Sequence, residues 1–278
     1  MTEYFTLEQL EEVAAAVRSR TKYNPVIGMI LGSGLGALAD NIENPDYIPY
    51  PNLPNWPIST VIGHSGRLVI GTLEGQTVCV MQGRSHFYEG YTMAQIGLPV
   101  RVMHLLGCET VIITNAAGGV NQHFSPGDLM LITDHINMIG MAGQSPLRGP
   151  NLETVGPRFV DMMNAYDPAL RALALRVGAD EGIALQQGVY VSLAGPNFET
   201  PADLRFLQRI GADAVGMSTV PEVIVARHSE MRVLGFSGIS NKANLDGNTP
   251  TTHAEVLEAG KTIAPKLIGV VRGVVRNL

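Results

Sequence analysis

Three side chains that suit anion binding occupy every second position of one short stretch. Arg84, His86 and Tyr88 lie within residues 83–90, directly after the apolar run 78–81. If the chain stays extended, all three side chains point to one side, because successive residues of a strand alternate between faces. A guanidinium and an imidazole make short, strong charge-assisted hydrogen bonds to a phosphate. Taken alone, the stretch also fits an exposed edge with scattered polar residues.

A glycine-rich stretch offers a second arrangement for an anion. The apolar residues 26–31 predict a buried strand, which leads into Gly32-Ser-Gly-Leu-Gly36 and a short helix ending near Asp40. Backbone N–H groups and a helix N-terminus would face an anion there, and the Ser33 hydroxyl can join them. The spacing is not the dinucleotide fingerprint, and no P-loop lysine follows. A plain tight turn explains the loop about as well.

Other predicted strands also end in polar or small residues. In open α/β sheets, ligands collect at the carboxyl ends of strands. The ends rich in Gly, Arg, His and Ser suit a phosphate, whereas those with Phe, Glu and Asn suit a flat heterocycle that forms hydrogen bonds. No HExxH, CxxC or paired-His spacing of a metal site occurs. The strand ends are Ser33, Arg84 with His86, Asn115, Glu199, Ser218 and Asn241.

Apolar spacing places these ends on a chain of mixed strands and helices. In the first helix, Thr6 and Gln9 have the capping-box pattern, and apolar residues follow at helical spacing. Three segments are predicted to be irregular: residues 44–57 with five prolines, the small-residue turn 115–119, and a polar linker over 243–251. Strands are predicted over 26–31, 67–72, 76–82, 110–114, 129–133, 188–194, 214–217 and 232–240, and helices over 6–19, 92–106, 168–181, 201–211, 221–229 and 252–277.

Two histidines have both an ordinary and a functional interpretation. His64 lies between Gly63 and Ser65, where it either faces an anion or is an ordinary loop residue. His253 falls in the first turn of the last predicted helix. A histidine gains nothing from the positive end of a helix dipole, so this position favours a functional role for His253.

Composition limits the class of partner. The 278 residues are 45% hydrophobic and 16% charged, which is enough for a sizeable core. The formal net charge of −6 argues against nucleic acid as a partner. No run of 18 apolar residues and no signal peptide is present, and Cys79 and Cys108 are expected to be reduced core thiols. These features predict a soluble, cytoplasmic protein without a membrane partner.

Six motifs occur in order along nearly the whole chain: residues 32–36, 83–90, 114–119, 194–200, 214–222 and 240–242. Together they resemble those of the trimeric purine nucleoside phosphorylases. The resemblance implies one α/β domain over residues 1–278, with a central mixed, twisted β-sheet flanked by helices. It also implies cleavage of the N-glycosidic bond of 6-oxopurine nucleosides, such as inosine and guanosine, by inorganic phosphate. No cofactor and no metal are expected, and inorganic phosphate is a co-substrate.

The resemblance assigns a role to each matching residue, and the roles fall into four sets. His86, Glu199, Asn241 and His253 are the predicted catalytic groups. Phosphate would contact Ser33, His64, Arg84, His86, the backbone of Ala116, and Ser218. The sugar would contact Tyr88, Met217 and His253, with His253 on the 5′-hydroxyl. The base would contact Phe198, Glu199, Val215 and Asn241, with Tyr190 bordering the pocket. Phe159 resembles the aromatic residue that the family donates to a neighbouring active site, which implies a homotrimer.

One departure and two rivals accompany this assignment. Mammalian members usually have Ile-Thr-Asn-Lys where this chain has Ile239-Ser-Asn-Lys242, and Ser240 keeps the hydroxyl. A methylthioadenosine phosphorylase is disfavoured by Glu199 and Asn241, which resemble the 6-oxopurine set, and by the polar His253. A non-catalytic nucleotide-binding module is disfavoured by the full set of phosphate and base groups.

Overall fold

The chain folds around one large mixed β-sheet, as a computed structural model describes for residues 3–243 and 252–278. Within those two ranges it has nine strands and seven α-helices. The strands are β1 (Ile27–Leu31), β2 (Glu43–Pro49), β3 (Arg67–Leu73), β4 (Gln76–Gln82), β5 (Thr110–Gly119), β6 (Leu129–Asn137), β7 (Leu185–Ser192), β8 (Ala214–Gly216) and β9 (Arg232–Lys242). The helices are α1 (Leu7–Arg18), α2 (Met93–Leu105), α3 (Met138–Met141), α4 (Pro168–Asp180), α5 (Pro201–Arg209), α6 (Val220–His228) and α7 (His253–Arg276).

Capping boxes with a threonine N-cap start four of these helices. In α1 the Thr6 hydroxyl accepts the Gln9 N–H at 3.3 Å, and the Gln9 side chain accepts the Thr6 N–H at 3.0 Å. The same capping box occurs at the starts of α2, α5 and α7. Each box satisfies two backbone donors that a helix start otherwise leaves unpaired, so the sequence predicts these boundaries well.

Parallel strands meet at the centre of the sheet. The strand order is β2-β3-β4-β1-β5-β8-β7-β6-β9, and β5 also pairs with β9, so the last five strands close into a ring. Strands β4, β1, β5 and β9 all run in the same direction. Their carboxyl ends therefore lie along one edge, which is where ligands bind in α/β sheets.

Both faces of the central strands are buried. Ile30 of β1 packs in a core cluster with Leu98 of α2, whereas Met29 and Leu31 pack in a second cluster with Leu267 of α7. Burial on both faces explains why β1 is apolar at consecutive positions rather than alternating. No helix in the part of the chain that the structure describes is long and apolar enough to cross a bilayer.

Two segments predicted to be irregular are strands. Residues 43–49 form β2 and pair antiparallel with β3, in spite of Pro45 and Pro49. The sheet tolerates these prolines because β2 is an edge strand, which needs hydrogen bonds on one side only. Residues 115–119 continue β5 and pair with β9 up to Gly119. Their small side chains indicated a turn, but pairing to β9 and β8 keeps the segment extended.

Two smaller differences concern local conformation. The short helix predicted after the glycine loop is a 3₁₀ helix over Gly36–Asn41. The linker predicted over 243–251 lies, apart from residue 243, outside the described residues.

Candidate active site

A cavity of about 340 Å³ brings the polar strand ends together. Its walls include Ser33 after β1, and Arg84 and His86 after β4. They also include Glu199, in the segment between β7 and α5, and Asn241 of β9. We call Ser33, Arg84, His86, Ala116 and Ser218 the anion group, and Phe198, Glu199, Val215 and Asn241 the heterocycle group.

Glycine allows the loop after β1 to lie directly against β5. A Cβ atom on Gly32 would be 2.8 Å from the Cα of Asn115 and 2.9 Å from the carbonyl oxygen of Thr114. The Gly32 N–H donates to Thr114 Oγ1 at 3.2 Å. Any larger residue would therefore separate Ser33 from the strand that carries Ala116.

Arg84 lines the cavity and is almost fully buried, with 1% of its surface exposed. Its Nη1 donates to Glu222 Oε1 at 3.1 Å and to Thr219 Oγ1 at 3.2 Å. Its Nη2 donates to the carbonyls of Thr114 and Ile30. Among the described residues, nothing accepts from its buried Nε. The guanidinium is therefore held firmly, with one N–H donor available to a ligand.

Thr219 is held at a positive φ angle beside this cation. Its φ angle is 74°, which is rare for a β-branched residue. Its hydroxyl accepts from Arg84 and from Asn115 Nδ2, the latter at 2.8 Å. Such strain persists where surrounding contacts determine the conformation, and here those contacts place Ser218 on the cavity wall.

His64 reaches the anion group through Ser33. Its Nε2 is 3.0 Å from Ser33 Oγ, and its Nδ1 is 2.7 Å from the Arg84 carbonyl oxygen. Burial, reinforced by the neighbouring His86, lowers the pKa of His64 to about 4. His64 is therefore neutral at physiological pH, and it donates from one ring nitrogen while it accepts at the other.

His86 is fixed from two sides. Its ring stacks on Tyr88, with centroids 4.8 Å apart and planes tilted by 12°. Its Nδ1 is 3.0 Å from Glu89 Oε1, which also accepts the His86 N–H at 2.7 Å. Burial raises the pKa of Tyr88 to about 12, so its phenol stays protonated and can donate. The stretch turns into a 3₁₀ helix at Phe87–Glu89, yet Arg84, His86 and Tyr88 all line the cavity.

The heterocycle group presents an amide and a carboxylate. Ser240 Oγ donates to Asn241 Oδ1 at 2.8 Å, which leaves the amide NH₂ of Asn241 as its donor toward a ligand. Burial raises the pKa of Glu199. The Phe198 ring, 44% exposed, lies on the wall of the same cavity. The set offers a donor, an acceptor and a flat apolar surface, which suits a planar heterocycle.

Comparison with known proteins identifies the family. The family model of the phosphorylase superfamily matches residues 26–276. The chain is 53% identical to purine nucleoside phosphorylase 1 of Bacillus subtilis over 268 residues, which is 96% of this chain and 98% of that protein. The chain belongs to the purine nucleoside phosphorylases. Two crystal structures of the Schistosoma mansoni purine nucleoside phosphorylase each match 100% of this chain. The complex with inosine has a TM-score of 0.94 and 41% sequence identity, and the match covers 98% of its chain. The complex with adenosine has a TM-score of 0.95 and 42% sequence identity, and the match covers 99% of its chain.

The cavity of this phosphorylase contains most, but not all, of the residues predicted from the sequence. The anion group, the heterocycle group, Tyr88 and Met217 all line it. His64, predicted to contact phosphate, is not among the lining residues and contacts Ser33 instead. Tyr190 does not: it is fully buried, and its hydroxyl accepts the Ser218 N–H at 3.3 Å, so it supports the wall from behind. Phe159 does not line it either, and its ring is 90% exposed. His253 begins α7, but its side chain lies outside the described residues.

Sequence reasoning missed the carboxylates that hold Arg84 and His86 of this phosphorylase. Glu222 is 3% exposed and pairs with Arg84, although a carboxylate in the first turn of α6 is typically a solvated partner of the helix dipole. Glu89 holds His86, and its three-residue spacing from His86 was the one available signal. No cluster of three or more His, Cys, Asp or Glu residues that could hold a metal occurs in ranges 3–243 and 252–278.

Proposed function

We propose that this phosphorylase cleaves 6-oxopurine nucleosides with inorganic phosphate, giving the free base and α-pentose 1-phosphate. The observation that carries the proposal is the joining of the anion group and the heterocycle group in one cavity. A nucleoside and a phosphate need these two kinds of contact at once, whereas a site for either ligand alone needs one. Inorganic phosphate is a co-substrate in this reaction, and the chemistry requires no cofactor.

The chemistry follows from charges that change during the reaction. As the glycosidic bond breaks, its electron pair leaves with the purine and the sugar becomes cationic. Phosphate held by Arg84 and His86 stabilises that cation and then bonds to its anomeric carbon. Asn241 donates to the base as negative charge grows on it, which is transition-state stabilisation by a preorganised donor. Glu199 accepts from the N1–H of the base and holds it in register.

The remaining assignments concern the sugar and the compartment. Tyr88 and Met217 line the cavity and would contact the sugar. We propose that His253, the first residue of α7, contacts the 5′-hydroxyl of the sugar. Both cysteines are buried free thiols, which suits the reducing cytoplasm that we propose as its compartment. We also propose that residues 1–278 form one domain.

The decisive assay is loss of inosine on addition of the protein, with and without phosphate. Hypoxanthine should appear only when phosphate is present, together with an equal amount of ribose 1-phosphate. Hydrolysis without phosphate, or preferred turnover of methylthioadenosine, would contradict the proposal. Binding of inosine and phosphate without turnover would favour a non-catalytic nucleotide-binding module.

We further propose that the active unit is a homotrimer in which Phe159 completes a neighbouring site. The support is exposure: Phe159 is 90% exposed and Met163 80% exposed. Large apolar side chains this exposed cost free energy unless another surface covers them. A neighbouring copy that buries Phe159 against its own cavity would remove that cost.

Replacement of Phe159 by alanine should weaken nucleoside binding and leave the trimer assembled. Loss of one aromatic contact should raise the KM for inosine roughly tenfold, since such contacts contribute about 0.5–1.5 kcal/mol beyond the area they bury. Tyr47→Ala is the matched control, because Tyr47 is a half-exposed ring on the edge strand β2. Analytical ultracentrifugation alongside the assay decides the matter, and a fully active monomer would refute the trimer.

A further inference from the structure

A loop without regular structure lies against the anion group. Residues 58–66, here called the cover loop, connect the buried Trp56 to β3. Val61 of this loop lines the cavity, and His64 contacts both Ser33 and the backbone of Arg84. The position of the cover loop therefore sets the position of two groups at the anion end of the reaction.

The Tyr91 side chain binds the start of this loop through two hydrogen bonds. The Tyr91 hydroxyl donates to the Ile58 carbonyl at 2.7 Å and accepts the Ile58 N–H at 3.0 Å. A single side chain thus satisfies both backbone groups of one loop residue. Tyr91 follows Gly90, which ends the 3₁₀ helix of the His86 stretch in a left-handed conformation, and it does not line the cavity.

Glu89 holds the next two residues of the cover loop. Its Oε2 accepts the Thr60 N–H at 2.5 Å, the Thr60 hydroxyl at 2.8 Å and the Ser59 hydroxyl at 3.4 Å. Its other oxygen accepts from His86. Burial alone would raise the pKa of Glu89, but hydrogen bonds from His86 and Thr60 outweigh burial and lower the pKa to about 2. The carboxylate is therefore ionised throughout the physiological range.

We propose that Tyr91 is a positioning residue for phosphate, which holds the cover loop closed over the anion group without touching a substrate. Tyr91 and Glu89 form a clamp on three consecutive loop residues, at positions 58–60. The inference rests on the proposed phosphorolysis, because phosphate is the ligand that the closed loop would enclose. If the loop is open part of the time, the apparent Kd for phosphate equals the Kd of the closed form divided by the fraction of molecules that are closed. The clamp should therefore affect phosphate binding more than nucleoside binding.

Tyr91 isolates this role better than Glu89 does. Glu89 also contacts His86, so its replacement changes the anion group itself. Tyr91→Phe keeps the ring and removes only the hydroxyl. Tyr23→Phe is the matched control, because the Tyr23 hydroxyl likewise donates to one backbone carbonyl, that of Asn44, at 2.8 Å. Tyr23 lies outside the cavity lining and outside the clamp.

The test measures the KM for phosphate and for inosine in both variants, together with amide hydrogen exchange of residues 58–66. Removal of the two hydrogen bonds should raise the KM for phosphate about 5- to 30-fold. The KM for inosine, and kcat at saturating phosphate, should change less than about twofold, and exchange in the cover loop should accelerate. Tyr23→Phe should resemble the unaltered protein in every measurement.

Three results would overturn the proposal. One is an unchanged KM for phosphate, the second is an equal rise in both KM values, and the third is unchanged exchange in the cover loop. A lower melting temperature without the KM difference would mark Tyr91 as a purely structural residue. If the unaltered protein shows no phosphorolysis, the proposed function fails. Loop exchange and calorimetric titration of inorganic phosphate then still test the clamp, because neither needs turnover.

Discussion

Inosine should be turned over about 10⁴-fold more efficiently than adenosine, because a site that hydrogen-bonds its substrate leaves buried groups unpaired with a mismatched one. A 6-oxopurine offers an N1–H donor to Glu199 and an O6 acceptor to the Asn241 amide. Adenosine reverses both, with an acceptor at N1 and a donor at C6. The preference should be measured as kcat/KM and not as binding affinity, because a relative has been crystallised with adenosine and binding alone therefore does not show turnover.

Asn241→Asp should narrow this preference. A carboxylate accepts from the 6-amino group of adenosine but no longer donates to O6. One buried polar group left unpaired costs about 1–3 kcal/mol, so the inosine-to-adenosine ratio should fall roughly 10- to 100-fold. Asn277→Asp, the same chemical change at the exposed end of α7, is the control and should keep the ratio. Comparable values for both nucleosides in the unaltered protein would remove Glu199 and Asn241 from base choice.

The same preference should depend on pH. Burial raises the pKa of Glu199, so the protonated fraction of this carboxyl grows earlier than usual as the pH falls. A protonated carboxyl can donate to N1 of adenosine, whereas it no longer accepts well from N1–H of inosine. The inosine-to-adenosine ratio is therefore expected to decrease toward acid pH. Glu199→Gln, which cannot ionise, should abolish that pH dependence.

Loss of the Arg84 guanidinium should impair the use of phosphate far more than the use of nucleoside. Arg84→Ala alone would strand the buried carboxylate of Glu222, and an uncompensated buried charge costs about 3–5 kcal/mol of stability. The informative variant is therefore Arg84→Ala combined with Glu222→Gln. A hydrogen bond to a charged group contributes roughly 1.5–3 kcal/mol, so kcat/KM for phosphate should fall about 10- to 150-fold.

Glu222→Gln alone serves as the control for this variant. Its amide oxygen can still accept from Arg84 Nη1, so most of the phosphate affinity should remain. Thermal unfolding of each variant separates a folding defect from a binding defect. If the double variant raises the KM for phosphate and the KM for inosine equally, Arg84 is not the phosphate contact that we assign to it.

Sequence patterns were sufficient where local rules decide the structure. The capping box of Thr6 and Gln9 fixes a helix start through two hydrogen bonds within four residues. The apolar run of β1 predicts a buried strand, and the structure buries it on both faces. By contrast, β2 and the end of β5 were predicted to be irregular. Pairing with neighbours far away in the chain overrides the local preferences of proline and small residues there.

For the site, the sequence by itself predicted which polar residues follow strands, because side-chain type and strand-end position are both local properties. Arg84, Glu199 and Asn241 were predicted in that way, and the structure places all three on the wall of one cavity. The carboxylate that holds Arg84, and the phenol that holds the cover loop, were decided by the tertiary structure alone. Glu222 reaches Arg84 across 138 positions, and Tyr91 reaches Ile58 across 33. Such contacts form only when the sheet brings distant segments together, so no local pattern in the chain encodes them.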